Sequence, residues 1–211
     1  MAEPPLVHVV DDDASVRDSL TLLLESAGFR ARAYGSAVSF LETAPDRGVG
    51  CVLTDVQMPE LNGLELQRRM SALGIQLPVI VMTGHGDVPV AVQALKAGAT
   101  DFLEKPFDDE QLLSAVNAAI ALSQQARDRA AAVADVATRL TTLTPREREV
   151  LDRLVAGQPN KTIAYDLGSS PRTVEVHRAR VMEKMGARSL AELVRMTIAA
   201  EGTAPAKAPE R

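Results

Sequence analysis

Val7-His8-Val9-Val10-Asp11-Asp12-Asp13 decides the fold: a short, mostly apolar run that ends abruptly in acid. Two other runs repeat the design. Cys51-Val52-Leu53-Thr54 leads into Asp55, and Asp101-Phe102-Leu103-Glu104 into Lys105-Pro106. Parallel strands all end on the same edge of their sheet, so three such strands would bring two acids, a third acid and a lysine to one shallow site. Carboxylates held that close repel one another unless a hard cation bridges them. Mg2+ (or Mn2+) with retained waters suits such an oxygen cluster. The arrangement predicts phosphoryl chemistry on Asp55.

Outward from these runs, the first half alternates strand and helix signals. Val16, Leu20, Leu23 and Leu24 mark one helical face over Ala14–Ser26, which Gly28 stops. Arg30–Tyr34 reads as a strand, Ser36 as the cap of a helix running through Thr43, and Leu64–Leu73 as a helix. Pro78–Thr83 is nearly all apolar, as expected of a strand buried on both faces. Val88–Ala97 reads as a helix ended by Gly98, and Asp108 caps a last helix to about Leu122. Five such units predict a doubly wound α/β sheet of order 2-1-3-4-5, with Asp11 and Asp55 flanking its switch point.

Composition divides the chain again. Residues 1–125 carry 8 Lys+Arg against 17 Asp+Glu, whereas residues 126–211 carry 15 against 11. An acidic first part and a basic second part point to two domains, the second facing nucleic acid. Ser123–Leu140, rich in Ala, Arg and Gln and free of Pro and Gly, reads as a helical, solvated linker. Beyond it the segments are helical only. Thr144-Pro145 with Glu147 forms a capping-box signature, Asn160–Leu167 a short helix, Ser170-Pro171 the start of a helix to Met185, and Ser189–Ala200 a fourth. The expected parts are 6–122, a linker 123–140, 141–202 and a disordered tail 203–211. No stretch is apolar enough to span a bilayer, and the start lacks a secretory signal, so the expected location is cytoplasmic. The one cysteine, Cys51, reads as a small buried hydrophobe.

Asp11-Asp12, Asp55, Thr83 and Lys105-Pro106 together resemble the receiver domain of two-component response regulators. The second half is similar to the LuxR-type helix-turn-helix through Leu143-Thr144-Pro145-Arg146-Glu147-Arg148-Glu149-Val150-Leu151, Asn160-Lys161-Thr162-Ile163-Ala164 and Ser170-Pro171-Arg172-Thr173-Val174-Glu175-Val176-His177. The domain order, with Gly84-His85-Gly86-Asp87, resembles the FixJ branch of these regulators.

The resemblance implies roles. Asp55 would accept a phosphoryl group from a phosphohistidine on a sensor histidine kinase. Asp11, Asp12, Asp55 and the backbone carbonyl of Gln57 would hold Mg2+. Lys105 would pair with a phosphoryl oxygen, its bond to Pro106 resembling the family's cis peptide, and Thr83 would donate its hydroxyl to another. Thr83 and Phe102 would form the switch, and Val92, Lys96 and Asp101 would lie on a face that pairs two phosphorylated copies. Of the acid triplet, Asp13 reads as a helix cap. In the helix-turn-helix, Lys161, Arg172, Thr173, Arg178, Arg180 and Lys184 would contact phosphates, while Glu175, Val176 and Ala179 would face base edges in the major groove. His177 reads as a packing or backbone contact. The implied partners are the kinase, promoter DNA, RNA polymerase and a second copy of the chain.

Two other classes compete. An aspartyl-phosphate phosphatase of the dehalogenase type needs a second acid two residues after its nucleophile, and that position is Gln57. A DNA-binding regulator that ignores phosphorylation would have no need of intact acids, Thr83 and Lys105. The expected chain is therefore not a turnover enzyme and catalyses only its own phosphorylation and dephosphorylation.

Overall fold

A computed structural model describes residues 4–43, 48–84 and 88–201. His85–Asp87 of the Gly84–Asp87 motif and the tail 203–211 lie outside the described residues. The chain divides between Arg127 and Asp128 into two compact units.

In the first unit, strands β1 (Leu6–Val10), β2 (Arg30–Tyr34), β3 (Gly50–Asp55), β4 (Val79–Thr83) and β5 (Asp101–Glu104) form, among the described residues, one parallel sheet in the order β2-β1-β3-β4-β5. That is the predicted order. All five residues of β4 are buried, which explains its unbroken apolar sequence. Side chains alternate between two cores. Val10, Val52 and Val81 pack on one side with Phe40 from helix α2 (Ala37–Glu42) and Leu66 and Met70 from α3 (Gly63–Ala72). Val9, Leu53 and Ile80 pack on the other with Leu20 and Leu24 from α1 (Ala14–Ser26) and Leu112 and Val116 from α5 (Asp109–Thr141). Each fully buried Leu, Ile or Met contributes about 1.5–3 kcal/mol relative to exposure. Helix α4 (Val88–Lys96) buries Ala94 in the first of these cores.

The local signals hold at the helix starts. Asp13 caps α1 by accepting from Ser15 N at 2.8 Å, Ser36 caps α2, and Asn62 caps α3 one residue ahead of the expected start. The largest departure concerns α5. Helix and linker, expected as separate pieces meeting near Leu122, form one helix of 33 residues. Nothing between Ser123 and Leu140 breaks a helix, and its Ala and Arg favour one. Nor is the segment solvated throughout. Its middle turns are exposed, but the Ser123 hydroxyl accepts from Gly50 N at 3.2 Å and Val136 is buried in the core of the second unit.

The second unit packs the end of α5 with α6 (Pro145–Val155), α7 (Asn160–Asp166), α8 (Pro171–Met185) and α9 (Leu190–Glu201). Its core joins Val150, Leu151 and Leu154 to Ile163, Val174, Val181, Met185 and Leu193. Thr144 and Glu147 form the predicted capping box of α6. Ser170 Oγ accepts from Thr173 N at 3.1 Å to start α8, which ends at Gly186 in the left-handed region, φ 66°.

Candidate functional site

The carboxyl ends of β1, β3 and β5 bring together the residues that the sequence pointed to. Asp11 follows β1 and is buried, with 1% of its side chain exposed; Asp55 ends β3 at 15% exposure; Asp12 is exposed. One carboxylate oxygen from each of these three residues lies within 4.8 Å of the others. Lys105 Nζ donates to Asp11 Oδ2 at 3.0 Å and to Asp55 Oδ2 at 3.1 Å. Burial would lower the pKa of this ammonium, but the hydrogen bonds and charges of Asp11 and Asp55 outweigh it and raise it. Lys105 is thus a cation held between two carboxylates, with a third, that of Asp12, close to both. A cluster with surplus negative charge and only oxygen donors fits a hard divalent ion such as Mg2+.

Neighbouring groups hold this geometry. Arg17 Nη1 donates to the Asp11 carbonyl at 2.7 Å, and the Asp11 Oδ1 accepts from Asp13 N at 2.9 Å. Gln57 N donates to Asp55 Oδ1 at 3.3 Å, and the buried Thr54 hydroxyl to the Asp55 carbonyl at 3.1 Å. Gly63 begins α3 directly against that carbonyl, where a Cβ would collide with the Asp55 oxygen. Lys105 N donates to Thr83 O at 2.8 Å, tying β5 to the end of β4, and the Lys105–Pro106 bond is cis. Thr83 is buried at this same edge, its hydroxyl turned to the Gly84 carbonyl at 3.4 Å. Phe102 lies on the opposite side of β5 from the buried Leu103 and is 38% exposed. Val92 and Lys96 are exposed on α4, and Asp101 Oδ1 accepts from Phe102 N at 2.8 Å.

Sequence reading missed Arg17 and Gly63. An arginine on the first turns of a helix and a glycine after an N-cap are too common to signal a site. Only the fold shows what they touch.

In the second unit, α7 and α8 are the two helices of the predicted helix-turn-helix. Val174, Val181 and Met185 of α8 are buried, leaving Arg172, Thr173, Glu175, Val176, Ala179 and Arg180 exposed and Arg178 half-buried. Lys161 is exposed on α7. The Thr173 hydroxyl is engaged with Ser170 Oγ at 2.8 Å. His177 is half-buried and its Nδ1 has no hydrogen-bond partner, in keeping with packing rather than reading. Lys184 departs from expectation. Its Nζ donates to Glu147 Oε2 at 2.6 Å and to the Thr142 carbonyl at 3.0 Å, so it is held inside the unit instead of extending the positive stripe. The reason is Glu147, a carboxylate only 2% exposed that needs a cation. The hydrogen bond from Lys184 and those of the capping box bring the Glu147 pKa down to about 2.

No helix among the described residues is long and apolar enough to cross a membrane. Residues 7–117 match the response regulator receiver domain, and residues 141–197 match the bacterial regulatory proteins of the luxR family. The chain is 54% identical over 206 residues to the transcriptional regulatory protein FixJ of Azorhizobium caulinodans, covering 98% of this chain and 97% of that one. It is 52% identical to FixJ of Rhizobium meliloti, covering 92% and 95% of the two chains. Among solved structures, full-length FixJ from B. japonicum is similar at 48% identity and a TM-score of 0.58, covering 96% of this chain and all (100%) of that one. The response regulator StyR is similar at 40% identity and a TM-score of 0.80, covering 93% and 99%.

Proposed function

The chain belongs to the FixJ-like response regulators, a receiver joined to a LuxR-type DNA-binding domain, and we propose that phosphorylation of Asp55 by a sensor histidine kinase turns this transcription factor on. It stands with transcription regulators and not with metabolic enzymes. The observation that carries the proposal is the cluster of Asp11, Asp12 and Asp55 at the carboxyl edge of the sheet, with Lys105 bonded to Asp11 and Asp55.

In the proposed reaction an Asp55 carboxylate oxygen attacks the phosphorus of a phosphohistidine. The P–N bond breaks as the O–P bond forms, and the imidazole leaves on the kinase. Such a transfer needs positioning and charge neutralisation more than covalent help. Asp11, Asp12, Asp55 and the Gln57 carbonyl would hold Mg2+ (or Mn2+), which when bound supplies neutralising charge to the phosphoryl oxygens. Lys105 would exchange its bond to Asp55 for one to a phosphoryl oxygen, remaining anchored on Asp11. The new group adds about 1.5–2 negative charges. Thr83 would swing its hydroxyl from the Gly84 carbonyl toward them, and Phe102 would turn inward from the surface. That change would reshape the face carrying Val92, Lys96 and Asp101, on which two copies pair. A two-fold pair matches paired DNA half-sites.

In the proposed complex Arg172, Arg178, Arg180, Lys161 and Thr173 contact phosphates, while Glu175, Val176 and Ala179 meet base edges. RNA polymerase would be the downstream partner, and the cytosol the place of action. The working parts are a receiver over 6–122 and a DNA-binding domain over 141–202, joined through 123–140.

The test treats the full chain with acetyl phosphate and Mg2+, then measures mass by sedimentation and duplex binding by fluorescence anisotropy. Wild type should form dimers and bind DNA more tightly; Asp55→Asn should do neither. Dimers in the Asp55→Asn protein would refute the mechanism. Unchanged DNA affinity in treated wild type would instead favour a regulator indifferent to phosphorylation.

A further inference from the structure

Arg139 and Lys184 exchange places at the ends of two helices. Arg139, on the last turn of α5, donates from Nη1 to the Met185 carbonyl at the end of α8, 2.7 Å. Lys184, on the last turn of α8, donates to the Thr142 carbonyl just past the end of α5, 3.0 Å. The final carbonyls of a helix have no partner within it and carry the negative end of its dipole, so a cation there satisfies both. Here each helix supplies the cation for the other.

Two further contacts fix this exchange. Asp135, one turn before Arg139, pairs with its Nη2 at 2.9 Å and aims the guanidinium. Gly186, which closes α8 at φ 66°, leaves open the space that the guanidinium fills; a Cβ there would collide with Arg139 Nη1. The Lys184 side is anchored on Glu147 at the start of α6.

We propose that Arg139 is a positioning residue for DNA reading: the reciprocal tie between α5 and α8 sets the angle at which the recognition helix meets base edges. The inference rests on α8 being the reading helix. From Met185 back to Glu175 is ten residues, about 15 Å of helix. A tilt of about 10° at the tied end would move Glu175 by about 2.6 Å, enough to lose a base-edge hydrogen bond. Phosphate contacts from flexible arginines tolerate such a shift. Loosening the tie therefore harms recognition of a chosen sequence far more than general attraction to DNA.

The experiment uses the full chain with acetyl phosphate and Mg2+, and two duplexes of equal length: one selected by wild type from a randomised pool, one with its sequence scrambled. Arg139→Met should weaken binding to the selected duplex about tenfold and to the scrambled one less than twofold, and Arg139→Lys should recover part of the loss, leaving about threefold. The salt dependence on the selected duplex should keep its slope, whereas loss of a phosphate contact would reduce it by about 0.9. Equal weakening on both duplexes, the result of a damaged fold, would overturn the proposal. So would a reduced slope, or no weakening at all. Should Arg139→Met fail to fold, Arg139→Lys carries the same comparison through an intermediate loss on the selected duplex alone, and its absence counts against the tie. If wild type selects no duplex, the reading on which this rests fails instead.

Discussion

Each unit sets buried carboxylate against lysine, and the two arrangements serve opposite ends. In the first, Asp11 and Asp55 share one ammonium, Lys105, and a third carboxylate, Asp12, stands beside them, so negative charge is left over. In the second, Glu147 meets Lys184 one to one, and the same Oε2 also accepts from Thr144 N at 2.9 Å. Charge that the chain balances itself becomes structure. Charge that it leaves unbalanced is a capacity to bind, which the proposed function assigns to a divalent cation.

The largest expected effect breaks the unbalanced cluster. Lys105→Met should slow phosphoryl incorporation from acetyl phosphate about 100-fold, because a preorganised cation for the transferred oxygens is gone. The same variant should bind Mg2+ more tightly, since no ammonium then competes for Asp11 and Asp55; calorimetric titration reads this. Weaker Mg2+ binding would show that Lys105 helps to build the cation site instead of competing with it.

Next in size is the balanced pair. Glu147→Ala should lower the stability of the second unit by about 2–3 kcal/mol, through loss of the capping box and of the Lys184 anchor, with the first unit unaffected. Glu147→Gln, which can still cap, should cost less. Denaturant titrations followed by NMR signals from each unit would separate the two. The depressed pKa of Glu147 also sets a pH dependence. Its stabilisation is complete above the ordinary carboxylate range and is lost as pH falls from about 5 toward the folded value of about 2. Glu147→Gln should flatten that part of the acid-unfolding profile, and an unaltered profile would show that other carboxylates govern it.

The smallest effect sharpens the contrast without a mutation. Mg2+ at about ten times its dissociation constant should stabilise the first unit by about 1.4 kcal/mol and the second by nothing measurable. A chelator should reverse it. Equal stabilisation of both units would mean that the ion acts generally and not at the cluster.

Much of the first unit was legible because its signals are local. Strands that run into Asp11, Asp55 and Lys105, caps at Asp13 and Ser36, and the apolar β4 can all be read within a few residues. The capping box at Thr144 and Glu147 and the start of α8 were readable for the same reason. What stayed hidden depends on pairs distant in sequence. Lys184 looks like one more cation of a basic helix until the fold sets it against Glu147, 37 residues earlier. Arg139 looks like linker until it meets Met185, and Arg17 like surface until it meets the Asp11 carbonyl. The continuity of α5 is hidden for a different reason: the composition changes near Ser123, but nothing there interrupts a helix.

Cys51 lies in β3, four residues before Asp55, with none (0%) of its surface exposed. Burial pushes its thiol up to about 12, so at neutral pH almost no thiolate forms while the sheet is closed. Alkylation must then wait for the strand to open. As the chain carries one cysteine, each modified molecule records one such opening, and the mass increase after timed exposure to iodoacetamide is a clock for the breathing of the sheet that carries the acid cluster.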